Sequence, residues 1–267
     1  PAIRIMNNWL YSKLTTLLLS IFSLLGSLVS AQDPSVELAA LDTAITARDS
    51  AKVYFNTAWS YYYEDPSFTR KYALDLLRLT ERHKLPHFKA RAIGLLGLYN
   101  EAVGKYDEAI GYYQEAIEIT LPIDSLRYTL SAHYSNLSIA YHHASNFKDA
   151  LAYQRKAISI QKEFKDEYHE MMSYNTLGNI FQRMDELDSA TYYFNKALAL
   201  ATDNPVAISM IKSNLGDVYL KQKQWQKAFD AYNYNYQFLR SYSTTSSFDM
   251  MDAHYDFAEY YITINQP

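Results

Sequence analysis

The 267-residue chain contains no cysteine, and this absence removes several kinds of chemistry at once. It excludes disulfides, thiolate zinc sites, iron–sulfur clusters, a cysteine nucleophile and a lipid-modified cysteine behind a leader. An oxidising compartment suits a chain without thiols, although such chains are not confined to one compartment.

Glycine and proline are also scarce, with seven of each, so long irregular stretches are not expected. Hydrophobic residues make up 49% and charged residues 20%, which is the balance of a folded protein with a core. Tyrosine, in contrast, occurs 26 times. Its ring carries one polar tip, so it suits both helix–helix seams and binding grooves.

The chain has no run of lysine or arginine, and its net charge is −4. Arg4 and Lys13 are the only charges before Gln32, so a chain that begins at Gln32 carries −6. Binding to a phosphate backbone requires a basic patch. We therefore expect this segment to make no contact with nucleic acid.

Residues 1–31 are predicted to be a signal peptide with Met6 as the initiator. Lys13 supplies the positive flank, and the uncharged stretch 14–29 supplies the apolar core. Small residues at 29–31 mark a cleavage site before Gln32. The apolar stretch of about 16 residues is short for a membrane span of roughly 20, but an uncleaved anchor is the competing interpretation. Both interpretations predict export, to the periplasm or the outer face of the cytoplasmic membrane of a bacterium.

A large residue followed by a small one recurs along the chain at a nearly constant interval. The small residues stand 39, 41, 40, 38 and 42 positions apart, at Ala58, Gly97, Ser138, Gly178, Gly216 and Ala258. Twelve positions after the small residue, four copies have alanine: Ala109, Ala150, Ala190 and Ala228. Four positions after the alanine, three of these copies have a ring, at Tyr113, Phe194 and Tyr232. The copy that contains Ser138 has Gln154 instead.

These columns have the geometry of paired helices. Small residues let two helix backbones approach closely, and rings at spacings of three, four and seven lie on one helical face. Gly104 and Asn146 stand where a turn within a repeat is needed, while Pro86, Pro122 and Pro205 fall between repeats, where helices stop. No alternation typical of strands competes with this pattern.

The columns resemble the tetratricopeptide motif over residues 51–267, as in Leu96-Gly97, Tyr106, Ala109, Tyr113 and Ala116. The period here is about 40, whereas the motif has 34, so longer helices or connections are expected. The resemblance implies an all-α fold, a right-handed superhelical solenoid of tandem helix-turn-helix repeats. We expect a lead-in helix at 32–50 and then about five and a half repeats, at 51–89, 90–130, 131–170, 171–208, 209–250 and a truncated 251–267.

A leader followed by such repeats resembles the extracytoplasmic region of bacterial sensor histidine kinases and related membrane-linked regulators. By analogy, a membrane helix and a kinase or DNA-binding output would follow. We expect the sequence to be the N-terminal part of a longer gene product. We expect contact with the membrane only through the leader or a downstream helix. A free-standing envelope scaffold that assembles other proteins is the alternative.

No convincing catalytic motif is present. Gly94, Gly97 and Gly104 lack the spacing of a dinucleotide loop, and Ser173 stands where a metalloprotease helix beginning at His169 needs its second histidine. Neighbouring His142 and His143 diverge by about 100° around a helix and cannot readily hold one ion. We therefore predict no catalytic residue, metal or cofactor in this chain, which leaves open a catalytic output beyond it.

The function predicted instead is binding of a protein or peptide on the concave face, which the first helix of each repeat lines. An asparagine offers both a donor and an acceptor to an extended backbone. The lysine and arginine clamp by which some tetratricopeptide proteins hold a C-terminal carboxylate is not matched. The predicted site residues are Asn56, Trp59, Asn136, Ile139, His142, His143, Asn175, Asn179, Arg183, Asn214, Asp217 and Lys221. The same register adds Leu98, Glu101, Ser135, Gln182, Ser213, Tyr255 and Glu259.

Overall fold

The structure is a computed structural model that describes residues 46–62, 64–241 and 247–264. The predicted signal peptide at 1–31 and most of the predicted lead-in helix at 32–50 lie outside these residues. Within them no helix is both long and apolar enough to cross a membrane.

The described residues form α-helices, one 3-10 turn (Asp124–Leu126) and no strand. The helices are α1 (Ala47–Ser60), α2 (Pro66–His83), α3 (Pro86–Ala102), α4 (Tyr106–Thr120), α5 (Arg127–His143), α6 (Phe147–Glu163), α7 (Glu167–Arg183), α8 (Leu187–Leu200), α9 (Pro205–Lys221), α10 (Trp225–Ser241) and α11 (Ser247–Ile264). The odd-numbered helices are the first helices of the repeats, and the even-numbered ones are the second helices. The predicted all-α repeat fold is confirmed.

Side-chain caps and prolines start several helices. The side chains of Thr46, Asp65, Asp166 and Asn204 accept hydrogen bonds from backbone N–H groups in the first turns of α1, α2, α7 and α9. Proline occupies the first position of α2, α3 and α9, where its fixed φ suits a helix start. Each first helix begins four residues before the repeat boundary drawn from the columns, for example at 86 rather than 90. A side-chain cap or a proline stands at this start in α1, α3, α7 and α9, whereas the columns mark only the seam.

The turns inside four repeats have the same backbone conformation. The residue seven positions after the small one has a positive φ, at Gly104, Ser145, Asp185 and Lys223. The next residue donates its N–H to the carbonyl five positions earlier, as from Lys105 to Asn100 at 2.8 Å. This pattern closes a helix end and reverses the chain. In the third repeat the left-handed residue is therefore Ser145, next to the Asn146 that the sequence indicated.

The chain forms two compact units, Pro1–Ile160 and Gln161–Pro267. In the first, α1 to α5 pack consecutively around buried side chains that include Leu76, Phe88, Leu95 and Leu137. In the second, α7 packs on α8, α8 on α9, and α9 on α10 and α11. Neighbouring first helices also contact each other within each unit, α1 with α3, α3 with α5, α7 with α9, and α9 with α11.

The seam inside a repeat depends on glycine facing a ring. A Cβ added to Gly97, Gly178 or Gly216 would lie 2.4–2.5 Å from the ring of Tyr113, Phe194 or Tyr232. Real Cβ atoms do not approach so closely, so only glycine allows these rings to sit between the helices. In the third repeat both partners differ: Ser138 donates its hydroxyl to the Ala150 carbonyl at 2.7 Å, and Gln154 occupies the ring position.

Gln154 is the weak point of this seam. It is fully buried, and neither its amide oxygen nor its amide nitrogen has a hydrogen-bond partner. A buried polar group left unpaired costs about 1–3 kcal/mol. We expect Gln154→Met, which keeps the volume and removes the polar atoms, to raise stability by about 1 kcal/mol in chemical denaturation. The control Gln237→Met, on the exposed face of α10, should change it little. A loss of stability in the first variant would contradict this reading of the seam.

Lysine and tyrosine form a second recurring pair between the helices of a repeat. Lys156 lies 5.4 Å from the Tyr134 ring, and Lys196 lies 5.2 Å from the Tyr174 ring. In the fifth repeat the same two positions are exchanged, and Lys212 on the first helix lies 3.5 Å from the Tyr234 ring on the second. The exchange keeps a lysine over a tyrosine ring. Such a cation–π contact contributes about 0.5–1 kcal/mol of stability at exposed sites.

Candidate functional site

The twelve predicted site residues differ widely in exposure. Asn56 and Lys221 are exposed, and Asn175, Asn179 and Asn214 are buried. Partly buried are Trp59, Asn136, Ile139, His142, His143, Arg183 and Asp217. All twelve lie on first helices, so the register placed them on the intended elements but not always on an open face.

Asn214 and Asn175 require a correction. Asn214 donates its side-chain amide to the Asn175 side-chain oxygen at 3.0 Å, and the two residues are 4% and 0% exposed. They join α9 to α7 where these first helices contact each other, rather than lining a groove. The reason is close packing between neighbouring first helices, which covers positions two and three before the glycine. The Asn175 amide nitrogen remains without a hydrogen-bond partner.

A buried polar cluster forms around Glu101 near the end of α3. The Tyr113 hydroxyl donates to its carboxyl at 3.1 Å, and the His143 ring nitrogen Nε2 lies 3.7 Å from the other oxygen. Tyr106 stacks on the His143 ring with centroids 5.2 Å apart. The side chains of Glu101 and His143 are each only 5% exposed. The cluster thus joins α3, α4 and α5 through polar tips beneath the surface.

Burial controls the protonation of this cluster. It raises the pKa of Glu101 to about 7, although the hydrogen bond from Tyr113 acts in the opposite direction. It lowers the pKa of His143 to about 4 and that of neighbouring His142 to about 3. His143 is therefore neutral at pH 7, and its contact with Glu101 at 3.7 Å is not an ion pair.

The second unit holds a comparable set of carboxyls on α9 and α11. Tyr232 donates its hydroxyl to Asp217 at 2.8 Å, and Ser213 donates to Asp256 at 2.8 Å. Burial raises the pKa of Asp217 to about 6 and that of Asp256 well above its usual value. Tyr232 thus packs its ring against Gly216 and donates its hydroxyl to Asp217, which is one of the predicted site residues.

Several first helices carry buried polar atoms with no hydrogen-bond partner. These atoms are on His87, His133, His142, Asn175 and Asn179. Gln154 is a second-helix exception, described above. His87 and His133 were not among the predicted site residues. His133 packs against Gly94 of the neighbouring first helix, a contact that the repeat register does not show. Across the described ranges no three His, Asp or Glu side chains are grouped as metal ligands.

The repeat geometry matches a known family. Residues 92–124 and 128–203 each match a family model described as tetratricopeptide repeat. The chain is a tetratricopeptide repeat protein. This repeat is a protein-interaction module, and the helical pairs, the small seam residues and the rings above are its structural signature.

Solved structures of other tetratricopeptide-like proteins share the fold. A Rap protein complexed with competence and sporulation factor aligns with a TM-score of 0.66 at 15% identity, over 91% of this chain and 74% of that one. Aspartyl phosphate phosphatase F from Bacillus subtilis aligns with 0.59 at 15% identity, over 85% and 63%. A putative kinesin light chain from Podosopora anserina, with nearly identical TPR-like repeats, aligns with 0.58 at 13%, over 73% and 97%. At these identities the likeness shows the fold alone. No curated protein sequence matches this tetratricopeptide chain.

Proposed function

We propose that this protein binds an extended peptide segment of a partner protein along the first helices of one of its two units. The observations that carry the proposal are buried polar atoms without a hydrogen-bond partner, on His87, His133 and His142 in the first unit and on Asn179 in the second. Each such atom costs about 1–3 kcal/mol when it is left unpaired. A peptide backbone offers both N–H and C=O groups, so it can pair with donors and acceptors alike.

Asn179 gives the sharpest test of peptide binding. It is 6% exposed, and its side-chain oxygen has no hydrogen-bond partner. Peptides would be selected on the full chain from a displayed library of random dodecapeptides. Asn179→Ala is expected to lower the affinity for the selected peptide about tenfold in isothermal titration calorimetry, because one hydrogen bond to a buried group is lost.

A matched control comes from the second helix of the same repeat. Asn195 on α8 is exposed, and Asn195→Ala makes the same chemical change away from the proposed surface. It should leave peptide affinity unchanged. Equal losses in the two variants, or an Asn179→Ala protein that binds normally with an unaltered melting temperature, would contradict binding by the first helices.

We further propose that the repeats are exported and serve as the sensory region of a membrane-linked bacterial regulator. The signal-peptide pattern at 1–31 and the 40-residue period support this proposal. When the full chain is produced in a bacterium, mass spectrometry should find a mature N-terminus at Gln32. Ala31→Trp should block cleavage, because signal peptidase requires a small residue there. An uncleaved wild-type chain that remains in the cytosol would overturn the export proposal. Stable complexes with other envelope proteins, without a linked output domain, would favour the scaffold.

A further inference from the structure

Four nitrogen-rich side chains lie on the first helices of the first three repeats, where α3 contacts both α1 and α5. His87 and Arg91 lie one turn apart on α3, Arg48 lies in the first turn of α1, and His133 lies on α5. Burial is the main reason that the pKa values of His87 and His133 are lowered, and neighbouring charges add to it: Arg91 and Arg48 at His87, and Arg91 and His87 at His133. We call these four residues the basic cluster.

The surroundings of the Arg91 guanidinium are the first observation on the basic cluster. The Arg91 guanidinium lies over the Phe55 ring, 3.6 Å from its centroid, and is half-buried. Among the described residues no carboxylate forms an ion pair with Arg91. A nearby carboxylate would raise the pKa of this arginine, whereas burial lowers it. A half-buried guanidinium with five donors and no acidic partner is uncommon, because buried charges are normally paired.

His133 supplies a second and independent observation. It is 5% exposed, and neither of its ring nitrogens has a hydrogen-bond partner. Gly94 makes room for it, since a Cβ at that position would lie 3.1 Å from the His133 ring. His87 likewise has a buried Nδ1 without a partner. The His133 ring is therefore held in place by shape, while its two buried nitrogens remain without a hydrogen-bond partner.

The start of α3 adds to the positive potential. Its first residue is Pro86, and no side chain caps its N-terminal N–H groups. The positive end of the helix dipole thus lies beside His87, in the same region as Arg91. Arginine binds a planar carboxylate through two parallel hydrogen bonds, and imidazole N–H groups can donate to the same anion.

We propose that the basic cluster binds a carboxylate of an acidic peptide. This inference rests on the proposed function and specifies it: the peptide held by the first unit carries glutamate or aspartate at the position that meets Arg91. Arg91 and Arg48 supply the charge, His87 and His133 donate from the sides, and Phe55 fixes the plane of the guanidinium.

Fluorescence anisotropy on the full chain tests the inference directly. The probes are fluorescein-labelled octapeptides of alternating glutamate and alanine, and of alternating glutamine and alanine. The glutamate peptide is expected to bind at least about tenfold more tightly, with an affinity that falls as salt rises. Equal affinity for the two peptides would overturn the carboxylate site.

Variants assign the effect to the cluster. Arg91→Gln should remove the preference for glutamate, and Arg91→Lys should retain part of it, because the charge stays while the two-pronged geometry is lost. The control Arg155→Gln, on the exposed face of α6, should retain the full preference. Circular dichroism melting verifies that each variant is folded. A folded Arg91→Gln protein that still prefers glutamate would overturn the inference.

A second readout separates this inference from the function on which it rests. In NMR titrations, the glutamate peptide should raise the pKa of His133, since a bound carboxylate stabilises the imidazolium. If inorganic phosphate alone produces that shift and the peptide does not, the site takes small anions and the inference fails. If both peptides bind equally and Asn179→Ala weakens both, peptide binding stands and the carboxylate site fails. If neither peptide binds and the dodecapeptide library yields no ligand, the proposed function itself fails.

Discussion

Gly178→Leu is expected to lower the free energy of unfolding by about 1–3 kcal/mol or more. The physical reason is the Phe194 ring, which a Cβ at position 178 would approach to 2.5 Å. Both residues are completely buried or nearly so, and neither helix can retreat without opening the seam of the fourth repeat. The measurement is chemical denaturation, with the melting temperature as a second readout.

Two further variants show whether the ring causes the loss. Gly111 lies on α4 with nothing within 4 Å of an added Cβ, so Gly111→Leu should be neutral or slightly stabilising. Phe194→Ala alone should cost about 3–5 kcal/mol through its cavity. Added to Gly178→Leu it should cost much less than the sum, because the leucine enters the space of the ring. An unchanged melting temperature for Gly178→Leu would show that the repeat register is wrong.

Glu101→Gln is expected to stabilise the protein by about 3 kcal/mol above pH 7 and to have little effect near pH 4.5. The folded-state pKa of Glu101 is raised from its usual 4.5 to about 7 by burial. Between these values the unfolded chain has lost a proton that the folded chain still holds. The wild-type carboxyl therefore contributes full stability below about pH 4.5, and this contribution is lost as the pH rises through 7. Glutamine can accept the bond from Tyr113 and has no proton to lose.

The difference between variant and wild type isolates this group from others that titrate nearby. His142 and His143 have lowered pKa values, so both proteins lose stability as the pH falls through 6.5 toward 4, and this loss largely cancels. Glu115→Gln removes the same charge from an exposed position on α4 and serves as control. A difference between Glu101→Gln and wild type that stays constant from pH 4.5 to 8 would show that Glu101 is not a buried titrating group.

The periodic columns predicted the fold class because small seam residues and rings are local consequences of helix pairing. Gly97, Gly178 and Gly216 face the rings at the expected positions. The boundaries drawn from the columns all fall four residues after the observed starts of the first helices, because the columns record the seam and not the cap or proline at the helix start. The spacing therefore determines the elements and their period, while the position of each start is read from the structure.

The candidate site was less accessible from sequence. The register placed Asn214 and Asn175 in a groove, yet the two side chains bond to each other because neighbouring first helices pack together there. It placed Glu101 on the same face, yet the hydroxyl of Tyr113 reaches the carboxyl from the seam. The buried His133 ring packs against Gly94 on another helix, where the missing side chain leaves room for it. Such contacts join residues 12–39 positions apart, and a repeat pattern does not encode them individually.

Hydrogen exchange on the full chain, with and without a peptide selected on it, tests most directly whether the first helices bind the partner. The account predicts that slowed exchange concentrates on first helices, α3 and α5 in the first unit or α7 and α9 in the second. Their second helices, α4, α6, α8 and α10, should change little. Protection that falls mainly on the second helices, or that is absent while titration shows saturated binding, would contradict the account.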